Sequence, residues 1–221
     1  MAKSKLIKEL ANGIVDLTIA FNRLLIIAND IGNEELTIWA ERELNGYQNF
    51  EDLPEYRIIN APNLQYTGIN GRFQVTNVPL PHNYLSSKTI DAVTRVGVFE
   101  SIKELEKYSQ LTESVYRDMT ALAGEVLERT GGVRCVSIKQ MINTQQYTGV
   151  LSNIQTKLIR VLLKIDKEYG NFDDLDIVLS GRTSEEVQTI NIQIKNLIYG
   201  DHSIKIGDHN DIDKSKIGMG E

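Results

Sequence analysis

The stretch IGNEELTIWAERELNGYQNFEDLPEYR, Ile31 to Arg57, decides how the rest of the chain is read. Gly32 allows a left-handed turn without a Cβ clash, and Asn33 follows it as a side-chain cap for a new helix. Glu34 and Glu35 stand in the first turn, where carboxylates meet the positive end of the helix dipole. Leu36, Trp39, Ala40 and Leu44 recur at the spacing of one apolar face, and Asn45 and Gly46 close the helix. Trp39 is the only tryptophan of the 221 residues.

Working back towards the N-terminus, Leu6, Ile7, Leu10, Ile14, Leu17, Phe21, Leu24, Leu25, Ala28 and Ile31 follow steps of three and four. This pattern predicts one long helix capped by Ser4 and ended by Gly32. It pairs with the next helix as an antiparallel hairpin, with Trp39 filling the space between them. The most apolar run, residues 14–31, is interrupted by Asp16, Asn22, Arg23, Asn29 and Asp30, which reads as a buried amphipathic helix and not a bilayer span.

Working forward, the helical period disappears between Tyr47 and Leu85, where aromatic and β-branched residues, glycines and prolines gather. Short strands are expected at Tyr56 to Asn60 and Arg72 to Asn77, with a turn at Gly68 to Gly71. Together they form a small β excursion over residues 56–81. Helices resume near Ser87 or Thr89, and Ile102 and Leu105 mark one at residues 98–108. Thr112 is read as the cap of a helix from Glu113 to Arg129, with Val115, Met119, Leu122 and Val126 on its buried side. A short strand or extended link at Val133 to Ile138 is followed by a long helix over residues 143–169, and a final helix is read at 184–197, its Thr and Ile content leaving a strand open. The tail repeats a seven-residue unit, GDHSIKI then GDHNDID from Gly200 and Gly207, which suits a hairpin or a strand that pairs with another chain. The expected fold class is α+β and mainly helical, with long antiparallel helices, the β excursion, and a short β-like tail at 198–221 beyond a domain at 1–197.

Composition narrows the function classes. The 24 Lys and Arg against 30 Asp and Glu give a net charge of -6, which argues against a purely electrostatic grip on nucleic acid by the surface as a whole. The single cysteine, Cys135, forms no internal disulfide and is read as a buried small hydrophobe in an intracellular, cytoplasmic chain. His202 and His209 stand beside Asp201 and Asp208, but turn-forming chemistry explains those pairs better than a metal site does. No metal ligand, cofactor or catalytic residue is assigned; the P-loop, GxSxG, HExxH and CxxC patterns do not occur. Two surfaces remain as ligand candidates. Lys157, Arg160, Lys164 and Lys167 share one helical face and could track successive phosphates of a nucleotide or oligonucleotide. Arg57 and Arg72, on the two expected strands and near Tyr47, Tyr56, Tyr66 and Phe73, could offer a stacking surface.

The run GNEELTIWAERELNGY followed by LPEYR resembles the AbiTii-type abortive-infection family of bacterial anti-phage defence. The matching positions are Gly32, Glu35, Leu36, Trp39, Glu43 to Tyr47, Pro54, Tyr56 and Arg57. The resemblance implies a part in phage defence and transfers no catalytic residue. The reading that follows is a non-enzymatic module that senses a ligand or trigger, forms a homo-oligomer and controls an effector or partner protein. The alternatives are a nucleotide or oligonucleotide receptor, and a metal-dependent nuclease toxin using carboxylates such as Asp174.

Overall fold

The computed structural model describes residues 3–175, 177 and 183–200. The fold is α+β and mainly helical, built on two apolar cores. Helices α1 (Lys5–Ala11), α2 (Leu17–Asp30) and α3 (Glu34–Asn45) open the chain. The single N-terminal helix expected from periodicity is therefore two. Gly13 takes φ +65°, and Asp16 starts α2 by accepting a hydrogen bond from the Ile19 N–H, so the chain breaks although its apolar spacing continues. Ile14, assigned to the buried stripe, lies in the break and is exposed. Asn33 caps α3 as expected, accepting from the Leu36 N–H. Trp39 is fully buried, with its ring edge-on to Phe21 at 5.0 Å between centroids.

The middle of the chain departs furthest from its pattern. A 3-10 turn at Glu55–Arg57 precedes strand β1 (Ile58–Asn60), and β2 (Leu64–Asn70) and β3 (Phe73–Pro79) form a hairpin. The expected turn begins too early, because Gly68 lies within β2. There a Cβ would meet the Arg134 carbonyl oxygen at 2.0 Å, so the close approach of the neighbouring strand demands glycine. Helix α4 (Ser87–Thr94) leads into β4 (Arg95–Gly97), which pairs with β1, and α5 (Ile102–Ser109) begins at a capping box of Ser101 and Glu104.

The helix expected over residues 113–129 does not form as one piece. Its first part is strand β5 (Val115–Asp118), and α6 (Ala123–Thr130) follows a 3-10 turn. The apolar positions that fitted one helical face serve different cores: Val115 packs on the first, Met119, Leu122 and Val126 on the second. Strand β6 (Val133–Ile142) is longer than expected and central, giving a four-stranded antiparallel sheet in the order β3-β2-β6-β5. The excursion read over residues 56–81 is thus only part of a sheet completed by residues 115–142. Cys135 is half-buried on β6, and burial pushes its thiol pKa up.

Helix α7 (Thr144–Tyr169) starts at a capping box of Asn143 and Gln146 and ends at Gly170, φ +87°. Helix α8 (Ser184–Tyr199) is a helix and not a strand, and it buries Ile190, Ile194 and Ile198. It extends past the expected boundary at Leu197. The Gly-Asp-His repeat from Asp201 onward lies outside the described residues. The first core joins α1, α2, α3, α5, α7 and α8; the second fills the space between the sheet and α4 and α6. Among the described residues no helix is long and apolar enough to cross a membrane.

Ser4 occupies the position before α1 but does not cap it. Its N–H and hydroxyl both donate to Asp166 on α7, and the Lys3 ammonium approaches the same carboxylate at 3.1 Å. Burial alone would raise the Asp166 pKa; the Ser4 and Lys3 contacts outweigh it and hold the carboxyl below the usual range. A depressed native pKa contributes stability that is present above the unfolded value, near 3.9, and is lost as pH falls through the native one. Asp166→Asn is therefore expected to flatten the acid limb of a stability–pH curve below about pH 4. An acid limb unchanged from that of the unsubstituted protein would refute the assignment.

Candidate functional site

The polar residues of the Ile31 to Arg57 stretch converge on one buried carboxylate. Glu43 and Arg57 are both fully buried, and Arg57 Nη2 lies 2.6 Å from Glu43 Oε2, with Nε 3.2 Å from both oxygens. Arg57 Nη1 donates to the backbone carbonyls of Val98 (3.1 Å) and Glu100 (2.7 Å). The hydroxyls of Tyr47 and Tyr56 donate to Glu43 Oε1 at 2.9 and 2.8 Å, and Trp39 Nε1 donates to the Tyr56 oxygen at 2.7 Å. The Arg57 guanidinium also stacks over the Tyr47 ring, 4.8 Å from its centroid.

Local structure places each member. Trp39, Glu43 and Tyr47 are spaced by four, so α3 and its exit direct all three to one side. Pro54 and the 3-10 turn aim Tyr56 and Arg57 back at them. Burial, and next the Glu43 charge, push both tyrosine pKa values well up, so both phenols stay protonated donors. Charge, donors and acceptor are thereby matched inside the protein, as a buried ion pair requires.

The family follows from this stretch and its surroundings. The AbiTii family model matches residues 4–196, from the N-terminal segment through most of α8. The chain belongs to the AbiTii family. Neither a curated protein nor a solved structure matches it.

The residues proposed from sequence as ligand contacts scatter over this AbiTii-family fold. Arg57 is fully buried and committed to Glu43 and two carbonyls, so its guanidinium presents no surface to a ligand. Arg72 is exposed at the turn between β2 and β3 and shares no contact with the buried Arg57 among the described residues. Lys157 is half-buried: its ammonium donates to the Leu197 carbonyl at 2.8 Å and lies 5.9 Å from the Tyr56 ring centroid. Burial, then the Arg160 charge, lower its pKa. Lys164 pairs with Glu168 at 2.7 Å. Lys164 and Lys167 also share a groove with Glu185, Glu186, Thr189 and Gln193 of α8. The middle of α7 thus meets late α8 and late α7 meets early α8, so the two run antiparallel and carboxylates border the cationic stripe. Arg160 is exposed.

Sequence reasoning named Glu43 and Tyr47 as signature positions, gave Glu43 no task and set Tyr47 in a stacking surface, whereas its hydroxyl donates to Glu43 in the core. A glutamate amid an apolar helical face, followed at four residues by tyrosine, was the available signal; a partner for its charge had to be found, and Arg57 lies beyond an irregular loop. Among the described residues no group of three or more His, Cys, Asp or Glu side chains is arranged to hold a metal ion.

Proposed function

We propose that this AbiTii-family chain is a non-enzymatic sensing module of abortive-infection defence, which registers a phage-derived trigger and controls an effector through self-association. The supporting observation is that the signature side chains of the family turn inward. Trp39, Glu43, Tyr47, Tyr56 and Arg57 satisfy one another's hydrogen bonds in the core, which is how a scaffold is built. A reacting centre needs polar groups left available to substrate.

Bacteria expressing the chain, with whatever partner its neighbouring gene encodes, are expected to show phage plating reduced by at least about an order of magnitude. Purified protein incubated with Mg²⁺ or Mn²⁺ is expected to leave DNA and RNA intact. Cleavage that disappears in Asp174→Ala would overturn the sensing reading in favour of a nuclease. The oligonucleotide reading rests on the α7 cations, and reversing Arg160 and Lys167 together, both exposed, distinguishes it. Sensing of another trigger predicts unchanged protection, whereas a receptor for phosphates predicts its loss with an unchanged circular dichroism spectrum. Self-association is assigned to the repeat at 200–213; deleting residues 201–221 should lower the number of chains per particle found by light scattering, and an unchanged number removes the tail from that role.

A further inference from the structure

A cleft of about 420 Å³ lies where the connector between β1 and β2 faces the start of α7. Its lining holds Asn60, Asn63, Asn143, Gln145, Gln146 and Ser114 and carries no ionisable side chain. The connector forming one wall, residues 61–63, is irregular backbone, yet each of its three carbonyls is engaged, as is that of Asn60 at the end of β1. Gln146 Nε2 donates to Asn60 O (2.7 Å), Gln140 Nε2 to Ala61 O (2.6 Å), and the Met141 N–H to Asn63 O (2.9 Å). His82 Nε2 lies 3.3 Å from Pro62 O, a donor in the Nε2–H tautomer. These bonds tie the wall to α7, β6 and His82, while the carboxamides of Asn60, Asn63 and Gln145 and the Ser114 hydroxyl make no hydrogen bond among the described residues.

We infer that this cleft binds an extended, uncharged polypeptide segment of a partner protein. Unspent carboxamides each offer donors and an acceptor, the complement of a peptide unit's C=O and N–H. A wall fixed before binding reduces the ordering cost of such contacts. The lining has no cation to neutralise phosphate and no aromatic ring to stack a base or a sugar face, so a nucleotide or glycan would be poorly served. The volume falls in the range of ligand clefts and admits a few residues of extended chain. This inference rests on the sensing reading for its biological meaning, and it names the trigger class as polypeptide.

The test is selection of a yeast-displayed library of random dodecapeptides on the full chain, repeated on the Asn63→Leu/Gln145→Leu double variant. The wild-type chain should enrich peptides with few charges. These peptides, resynthesised with acetyl and amide ends, should bind at least about tenfold more weakly to the double variant, whose melting temperature should match the parent. Should that variant fold poorly, Ser114→Ala with Asn60→Leu serves in its place. Absence of enrichment, or enrichment equal on both chains, overturns the inference; so does adenosine or ATP producing a thermal shift that the variant loses. Phage plating on the same variants separates the two readings. Peptide binding lost with protection retained upholds the cleft and removes it from triggering. Protection lost where no peptide binds overturns the peptide and leaves sensing in place.

Discussion

Arg57→Met should destabilise the fold by about 3–5 kcal/mol, the cost of stranding one member of a buried ion pair. For a chain of this size that corresponds to a fall in melting temperature of roughly 6–20 °C. The substitution leaves the Glu43 carboxylate in the core with only the Tyr47 and Tyr56 hydroxyls to solvate it, and it releases the Val98 and Glu100 carbonyls. Glu43→Leu combined with Arg57→Met removes both charges and should recover much of the loss, since an apolar pair can substitute for a buried ionic one. Recovery should be incomplete, because the tyrosine hydroxyls then lack their acceptor. Urea melts of the two single variants and the double variant measure the coupling. Single variants whose losses simply add, with no recovery in the double, would show that the pair is not the linchpin of this network.

Gly46→Ala is expected to cost about 3 kcal/mol, although it adds a single methyl group. Gly46 sits at φ +90° and ψ 170°, a region open to glycine alone, and a Cβ there would stand 2.7 Å from the Phe99 carbonyl oxygen. Relief requires moving residues 98–101. That segment receives the Tyr47 N–H at Phe99 O and the Arg57 guanidinium at Val98 O and Glu100 O. The methyl group therefore loosens the same network from its other side. Gly71→Ala is the control: φ is +62° but nothing lies within 4 Å of its Cβ position, so only the backbone term of about 1 kcal/mol applies. Equal melting temperatures for the two alanine variants would remove the steric argument at Gly46.

These two expectations bear on why the ELNGY and PEYR runs occur together. Glu43 carries the charge, Gly46 lets the chain pass against residues 98–101, Tyr47 returns a donor, and Tyr56 with Arg57 closes the site from the loop. The stretch acts as one buried joint linking α3, the loop before β1, and the segment leading into α5. Lys157 extends that joint to the last turn of α8 by reaching the Leu197 carbonyl beside the Tyr56 ring.

What could be read along the chain was what neighbouring residues decide among themselves. Asn33 capping α3, Gly32 and Gly170 ending helices, and the apolar stripes of α7 and α8 rest on interactions within four residues, which sequence spacing expresses directly. The family signature was legible in the same way. Tertiary structure decided the rest. Val115 to Asp118 joins the sheet because β6 supplies hydrogen-bond partners that local pattern does not reveal, although Val115, Met119, Leu122 and Val126 fit a helical period. Ser4, read as the cap of the first helix, is instead drawn to Asp166, more than 160 residues away, which no local pattern announces. Arg57, read as a surface cation, is buried because Glu43 waits across an irregular loop, and a charge enters a core only where folding brings its partner there.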